Sequence, residues 1–240
     1  TQLGARWRAL AGVGLASQAG SFCIVDRATG EPWTPLRLWN DMRPLRRLPE
    51  VARRKPAAYW RRLSFFEGPG WGLARVLWLR ERSPRLLRPG NLYVGAGEYA
   101  YFRLTGQWRQ DAGNALQIGC YNVRRQALDP EPLRLVGAPL SFVAPLRDGH
   151  RPLPSGPVAR DRCGLPAGTP VAGPYFDHEA GYLSAAAVSR RPLQCSLGTA
   201  WVGNFTLPAG ARWRSPVQLV VPAPHGAGWL MVRPLMTGNV

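Results

Sequence analysis

Lysine is almost missing from this chain: Lys55 stands alone among 31 basic residues, and only 14 acidic residues oppose them in 240 positions. Cysteine is sparse too. Cys23, Cys120, Cys163 and Cys195 form no Cys-x-x-Cys pair, and His150, His178 and His225 are just as scattered. That spacing recommends no metal site, so no bound metal is expected. Cys23 and Cys195 sit in apolar, strand-like contexts and read as small buried hydrophobes in a reduced, cytoplasmic protein. No apolar run approaches the roughly 20 residues that span a bilayer. No charged start followed by an apolar stretch marks a leader. A membrane partner is not expected. Asn204-Phe205-Thr206 fits the glycosylation sequon, a pattern short enough to arise by chance.

What is abundant is arginine, together with Ala, Gly, Pro and Trp, for a net charge of +17. Such a charge raises the possibility of a nucleic-acid partner. The arginines argue against it, because they are spread along the chain in small knots (Arg46-Arg47, Arg53-Arg54-Lys55, Arg61-Arg62) with no stripe interleaved with aromatics. Arginine in place of lysine, alongside Ala, Gly and Pro, is the mark of a GC-rich genome on any protein. No nucleic-acid partner is expected. A basic nucleic-acid-associated α/β protein is the rival from another class, and steep loss of binding with added salt would favour it.

Hydrophobic residues make up 45% of the chain, enough for a sizeable core. Residues 12–26 alternate or run apolar and break at Ala28-Thr29-Gly30-Glu31, a hairpin-like signal. Leu36 to Trp39 reads as a short strand ending at Asn40-Asp41. Residues 44–72 are rich in Pro, Arg and aromatics, with a loop at 66–70. The spacing of Leu73, Val76, Leu77 and Arg80 predicts a helix over 72–81, stopped by Pro84. A second helix is expected over 93–104, broken at Thr105-Gly106, then a loop running into a helix or turn over 111–120. Residues 126–169 read as a Pro- and Gly-punctuated excursion. After it come a strand from Val171, a helix over 179–188, a strand at 193–197 and strand-like runs at 217–221 and 229–232. The pattern is mixed α/β without an internal repeat.

The chemistry concentrates where Gly164-Leu165-Pro166-Ala167-Gly168-Thr169-Pro170-Val171-Ala172-Gly173 leads to Asp177, followed by Ser196-Leu197-Gly198-Thr199. A short apolar strand would deliver the Asp177 carboxylate to its C-terminal end, and a Gly-Thr turn would offer backbone N–H groups and a hydroxyl. A carboxylate that takes a proton from an alcohol, with a turn that holds phosphate, is the minimal equipment for phosphoryl transfer. The bland alternatives are a capping Asp at a helix start and a plain β-turn.

This segment resembles the FGGY family of carbohydrate kinases, whose catalytic Asp follows a "GLPxGTPV" run. Four more stretches resemble the family in the same order: Val13 to Gln18 with Ser21 to Asp26; Leu36-Arg37-Leu38-Trp39-Asn40-Asp41-Met42-Arg43; Arg75 to Glu81 with Pro84; and Glu98-Tyr99 through Arg103-Leu104-Thr105-Gly106 to Asp111–Ala115. The resemblance covers residues 12–205. It implies an ATP-dependent kinase that phosphorylates a sugar or polyol hydroxyl, with Mg²⁺ accompanying ATP and assembly as a homodimer left open.

The implied fold is α/β, the ribonuclease-H-like architecture of actin and hexokinase, in incomplete form. Residues 1–188 would be the sugar-binding N-terminal domain without its first phosphate-loop hairpin, since no Asp-x-Gly-Thr-Thr precedes Val13. Residues 189–240 would begin the nucleotide-binding domain. The chain then reads as a piece of a kinase, inactive alone, and a degenerate sugar-binding relative is the alternative within the fold. Carried over residue by residue, Asp177 is the general base, Gly198 and Thr199 meet the nucleotide's outer phosphates, and Gln18 and His178 contact substrate. Asn40, Asp41 and Arg43 either read sugar hydroxyls or form a structural Asp–Arg brace. The chain departs from its relatives at Gln18-Ala19-Gly20-Ser21. Xylulokinase-like proteins have Met-His and glycerol-kinase-like ones Arg-Glu where this chain has Ala19-Gly20, so the substrate stays open. Trp33, Trp39, Trp60 and Trp71 either stack on a sugar or pack in the core.

Overall fold

A computed structural model describes residues 4–198, 201–212, 219–224 and 228–236. The first half runs β1 (Val13–Ser17), β2 (Cys23–Asp26), α1 (Leu48–Arg53), α2 (Ala57–Ser64), α3 (Trp71–Arg82), β3 (Asn91–Val94), α4 (Ala96–Thr105) and α5 (Ala112–Ile118). A small hairpin of β4 (Tyr121–Asn122) and β5 (Ala127–Leu128) leads to α6 (Pro130–Leu135), β6 (Leu153–Pro154) and α7 (Pro157–Cys163). Then come β7 (Pro170–Phe176), α8 (Asp177–Ala186) and four strands: β8 (Gln194–Leu197), β9 (Trp201–Leu207), β10 (Leu219–Pro222) and β11 (Trp229–Met236).

The organising contact is the parallel pairing of β1 with β7, from Val13 opposite Val171 to Ser17 opposite Phe176, with β6 antiparallel on the far side of β7. The register slips between Gly14 and Ala16. There Gly173 (φ +92) approaches the Leu15 carbonyl so closely that a Cβ would collide with it, which only glycine avoids. β2 and β3 form a separate antiparallel pair, and β10-β11-β9-β8 form an antiparallel sheet at the C-terminal end.

One apolar cluster joins these parts. Phe22 and Ile24 of the β2 region, Leu73, Val76 and Leu77 of α3, and Leu116 of α5 pack with Val202, Leu219 and Leu230 of the C-terminal sheet. Each large side chain so buried contributes about 1.5–3 kcal/mol. Phe22 stacks on Tyr93 with ring centroids 4.8 Å apart, tying β2 to β3 through their side chains as well.

Helix α3 forms where the spacing of apolar residues places it. The helix expected over 93–104 begins only at Ala96, because residues 91–94 pair with β2; Gly95 is extended and accepts the turn, and Gly106 in the left-handed region ends the helix. Leu36 to Trp39 supplies just the single bridge from Arg37 to Phe22. Residues 44–72 hold two short helices, α1 and α2, with Val51, Trp60 and Leu63 buried. Proline hid them from the pattern: Pro49 sits in the first turn of α1 and Pro56 at the N-cap of α2, both positions that tolerate it. The expected strand at 217–221 is observed as β10, while positions 217 and 218 lie outside the described residues.

Candidate active site

Because β1 and β7 are parallel and end together at Ser17 and Phe176, the next residues, Gln18 and Asp177, leave the sheet at one edge. The carboxyl ends of parallel strands are where open α/β sheets gather their ligands. The loop at 66–70, the start of α3, the end of α5 and β8 close around this edge. They enclose a cleft of about 520 Å³ lined by Gln18, Trp39, Arg75, Asp177, His178 and Gly198 among others.

Asp177 is the first residue of α8, and its Oδ1 accepts the His178 N–H at 3.0 Å. It is exposed to solvent in the cleft, with enough protein close by to desolvate it in part. That partial desolvation raises its pKa above the ordinary carboxylate value, with the neighbouring His178 pulling the other way. The His178 ring is shifted in the opposite direction by its own burial, toward the neutral form, and its Nδ1 meets Asn204 Nδ2 at 3.1 Å. This bond links α8 to β9.

Behind Asp177 lies a set of buried carboxyls. Asp111 caps α5 by accepting the Asn114 N–H, and its second oxygen accepts the N–H of Phe176, the residue just before Asp177. One buried side chain thereby ties the helix to the strand end that carries the candidate base. Burial pushes Asp111 up, and it raises Glu98 to about 7 and Glu179 to about 8, the Asp111 charge adding to both. Glu179 approaches His150 Nε2 at 3.9 Å. Among the described residues no three acidic, His or Cys side chains converge as a metal-ion site.

The floor of the cleft differs from the rim. Gly20 (φ +86) has the left-handed backbone that disfavours any side chain, and a Cβ there would meet Arg75 Nη1 and Trp39 Cβ at 3.4 Å. The buried Arg75 guanidinium donates from Nη2 to the Trp39 carbonyl at 2.8 Å and lies 5.6 Å from the Phe22 ring centroid. Arg75, Glu98 and Asn114 escaped the sequence reading as site residues. The available signal was an arginine inside the stretch of α3 from Gly72 to Leu79 in which every residue is buried.

Of the residues singled out by sequence, Gln18, Asp177, His178 and Gly198 come together in the cleft wall. Thr199 lies outside the described residues. Asn40, Asp41 and Arg43 do not line the cleft. Arg43 grips Asp41 through Nε at 2.8 Å and Nη2 at 2.7 Å, with Arg37 at 3.8 Å, the geometry of a brace beside Trp39. Trp39 and Trp71 line the cleft, Trp60 is core and Trp33 is exposed.

The family model described as the FGGY family of carbohydrate kinases, N-terminal domain, matches residues 1–184. The chain belongs to this family. A glycerol kinase from Alkalilimnicola ehrlichii is 28% identical over 212 residues, covering 85% of this chain and 41% of the relative. A xylulose kinase from Streptomyces coelicolor is 29% identical over 164 residues, covering 62% of this chain and 34% of the relative. The fold matches the crystal structure of xylulose kinase from Rhodospirillum rubrum with a TM-score of 0.77 at 19% identity, over 92% of this chain and 45% of that one. The gluconate kinase of Lactobacillus acidophilus matches with a TM-score of 0.73 at 18% identity, over 93% and 46%. This FGGY chain thus has part of the α/β architecture of the actin and hexokinase ATPases, and it spans about two-fifths of the length of the curated relatives it matches.

Proposed function

We propose that this chain is the sugar-binding part of an ATP-dependent kinase that phosphorylates a hydroxyl of a sugar or polyol, with Asp177 as general base. The observation that carries the reading is the position of Asp177. Its carboxylate stands at the carboxyl end of β7, in the cleft, with no Arg or Lys within ion-pair distance among the described residues and with a pKa raised by desolvation. A sugar hydroxyl is a weak nucleophile, and a positioned carboxylate that accepts its proton as the new P–O bond forms lowers the barrier. A raised pKa brings that carboxylate closer to the working pH, where a base is most effective.

The nucleotide fits the other wall. Among the described residues nothing stands within 4 Å of where a Gly198 Cβ would be, and Ser196 on the same wall adds a hydroxyl, a surround suited to an outer phosphate. When bound, ATP supplies the phosphoryl group that the alcohol attacks, with Mg²⁺ riding on its phosphates. Gln18 and Trp39 hold the substrate, and His178, neutral through burial, can meet a hydroxyl without forming a fixed ion pair with the base. The division at residues 1–188 and 189–240 belongs to the same proposal, with the His178–Asn204 bond crossing it.

The test is sugar-dependent ADP release by the protein at the length its gene encodes, over a panel including glycerol, D-xylulose and D-gluconate. Phosphorylation of at least one panel member is expected, and the 240 residues alone are expected to bind that compound without turning it over. Absence of turnover at the encoded length on every sugar and polyol would overturn the reading.

A further inference from the structure

We infer that a recess in the floor of the cleft reads one substrate hydroxyl, separate from the one that is phosphorylated, through Arg75, Glu98 and Asn114. The inference rests on the carbohydrate-kinase reading above. The recess holds about 10 Å³, close to the room one oxygen atom needs, and shares Gly20, Arg75 and Gln117 with the cleft. Three of its lining side chains are almost fully buried, Arg75 at 1%, Glu98 at 3% and Asn114 at 6% exposure.

Each of the three has hydrogen-bonding capacity left over: Arg75 Nε and Glu98 Oε1 have no partner among the described residues, and Asn114 Nδ2 has a hydrogen to spare. Their other atoms are committed. Arg75 Nη2 donates to Trp39, and Glu98 Oε2 accepts the Gly95 N–H at 2.7 Å. Asn114 Nδ2 can give one of its two hydrogens to the Asp111 carboxylate, which leaves the other for the recess. Buried polar groups left unpaired are costly, so this trio needs a partner. Two donors and one acceptor are the complement of an alcohol oxygen, which carries one O–H and two lone pairs. Water has the same chemistry. A substrate hydroxyl is favoured because the recess adjoins the cleft, sharing Gly20, Arg75 and Gln117 with it. Asp177 lines the cleft and not the recess, so the hydroxyl read here is a second one. A substrate engaging both carries at least two hydroxyls.

Calorimetric titration with glycerol, erythritol, xylitol, D-glucitol, D-xylulose and D-gluconate, and then with monodeoxy analogues of the tightest binder, tests this on the protein at its encoded length. One deoxy position should bind about tenfold more weakly than the parent. Glu98→Gln can keep the bond to Gly95 while turning the recess acceptor into a donor. It should weaken the parent about tenfold and leave that one deoxy analogue unchanged. Asn114→Ala, whose backbone bond to Asp111 is untouched, should do the same and carries the test if Glu98→Gln does not fold. Variants that weaken the parent and every deoxy analogue equally, or weaken none, would show that the recess holds only water and overturn the inference. Failure of the wild-type protein to bind any panel member would instead overturn the carbohydrate reading itself.

Discussion

Two segments beside the cleft each present a carboxylate, and their surroundings give the two opposite chemistry. In the loop after Trp39, Asp41 is clasped by Arg43 and neighboured by Arg37, and the Arg43 hydrogen bond leads in holding it down to about 2. At the β7–α8 junction, Asp177 meets no such cation among the described residues, and partial desolvation moves it up. A carboxylate locked as an anion cannot take a proton near neutral pH, whereas a raised one can. Residue type is the same in both places, though only Asp177 lines the cleft. The difference lies in what else the fold brings near.

Substitution gives the largest break in that comparison. Asp177→Asn should lower kcat by roughly 10²–10⁴-fold with sugar affinity largely kept, as loss of a general base does. Asp41→Asn should change kcat by less than a few-fold. Steady-state kinetics on both variants decides, and near-normal turnover by Asp177→Asn would return Asp177 to the role of a first-turn helix residue.

The pH dependence of stability sharpens the contrast. Glu98 (about 7) and Glu179 (about 8) have folded values above their unfolded ones, as does Asp111. Their stabilising contribution is full below the unfolded carboxylate range and is lost as pH rises through the folded values. Asp41, lowered to about 2, works the other way: its contribution is present above the unfolded value and is lost as pH falls toward 2. Urea midpoints should therefore peak at about pH 4 and decline toward about pH 8. A midpoint that stays flat or climbs over that interval would contradict the burial assigned to these acids.

The raised pKa of Asp177 also has a kinetic counterpart. The acidic limb of the kcat/KM profile should fall at a higher pH than an unperturbed carboxylate would set, because the base must be ionised to act. A limb at or below the ordinary carboxylate range would count against Asp177 as that base.

The smallest effect expected is at the floor. Gly20→Ala should cost about 1–2 kcal/mol, the penalty for placing a Cβ on a left-handed backbone, read as a lower urea midpoint. An unchanged midpoint would mean that the loop can relax. The same backbone explains why Ala19-Gly20 carries no substrate-reading side chain at position 20. In this chain the guanidinium of Arg75 occupies the space facing Gly20, supplied from α3 and not from the loop.

Local pattern was enough for several features. The apolar spacing in α3, the strand that delivers Asp177, the helix after it and the motif order that identifies the family were all legible, because each depends on neighbours within a few residues. Helices α1 and α2 were not, since their prolines and arginines resemble a loop until Val51, Trp60 and Leu63 find a core to enter. The late start of α4 was not, since it depends on residues 91–94 pairing with β2, far away in the chain.

By itself, then, the sequence determined the candidate base, the family and the α/β class, because these are written as residue type and short-range order. Tertiary structure decided which polar residues meet. It placed Gln18 beside Asp177 through the parallel pairing of β1 and β7, withdrew Asp41 and Arg43 into a brace, and gathered Arg75, Glu98 and Asn114 around one recess. The physical reason is that desolvation and hydrogen-bond partnership depend on distance in space, and residues 75, 98, 114 and 177 become neighbours only once the core that joins their elements has formed.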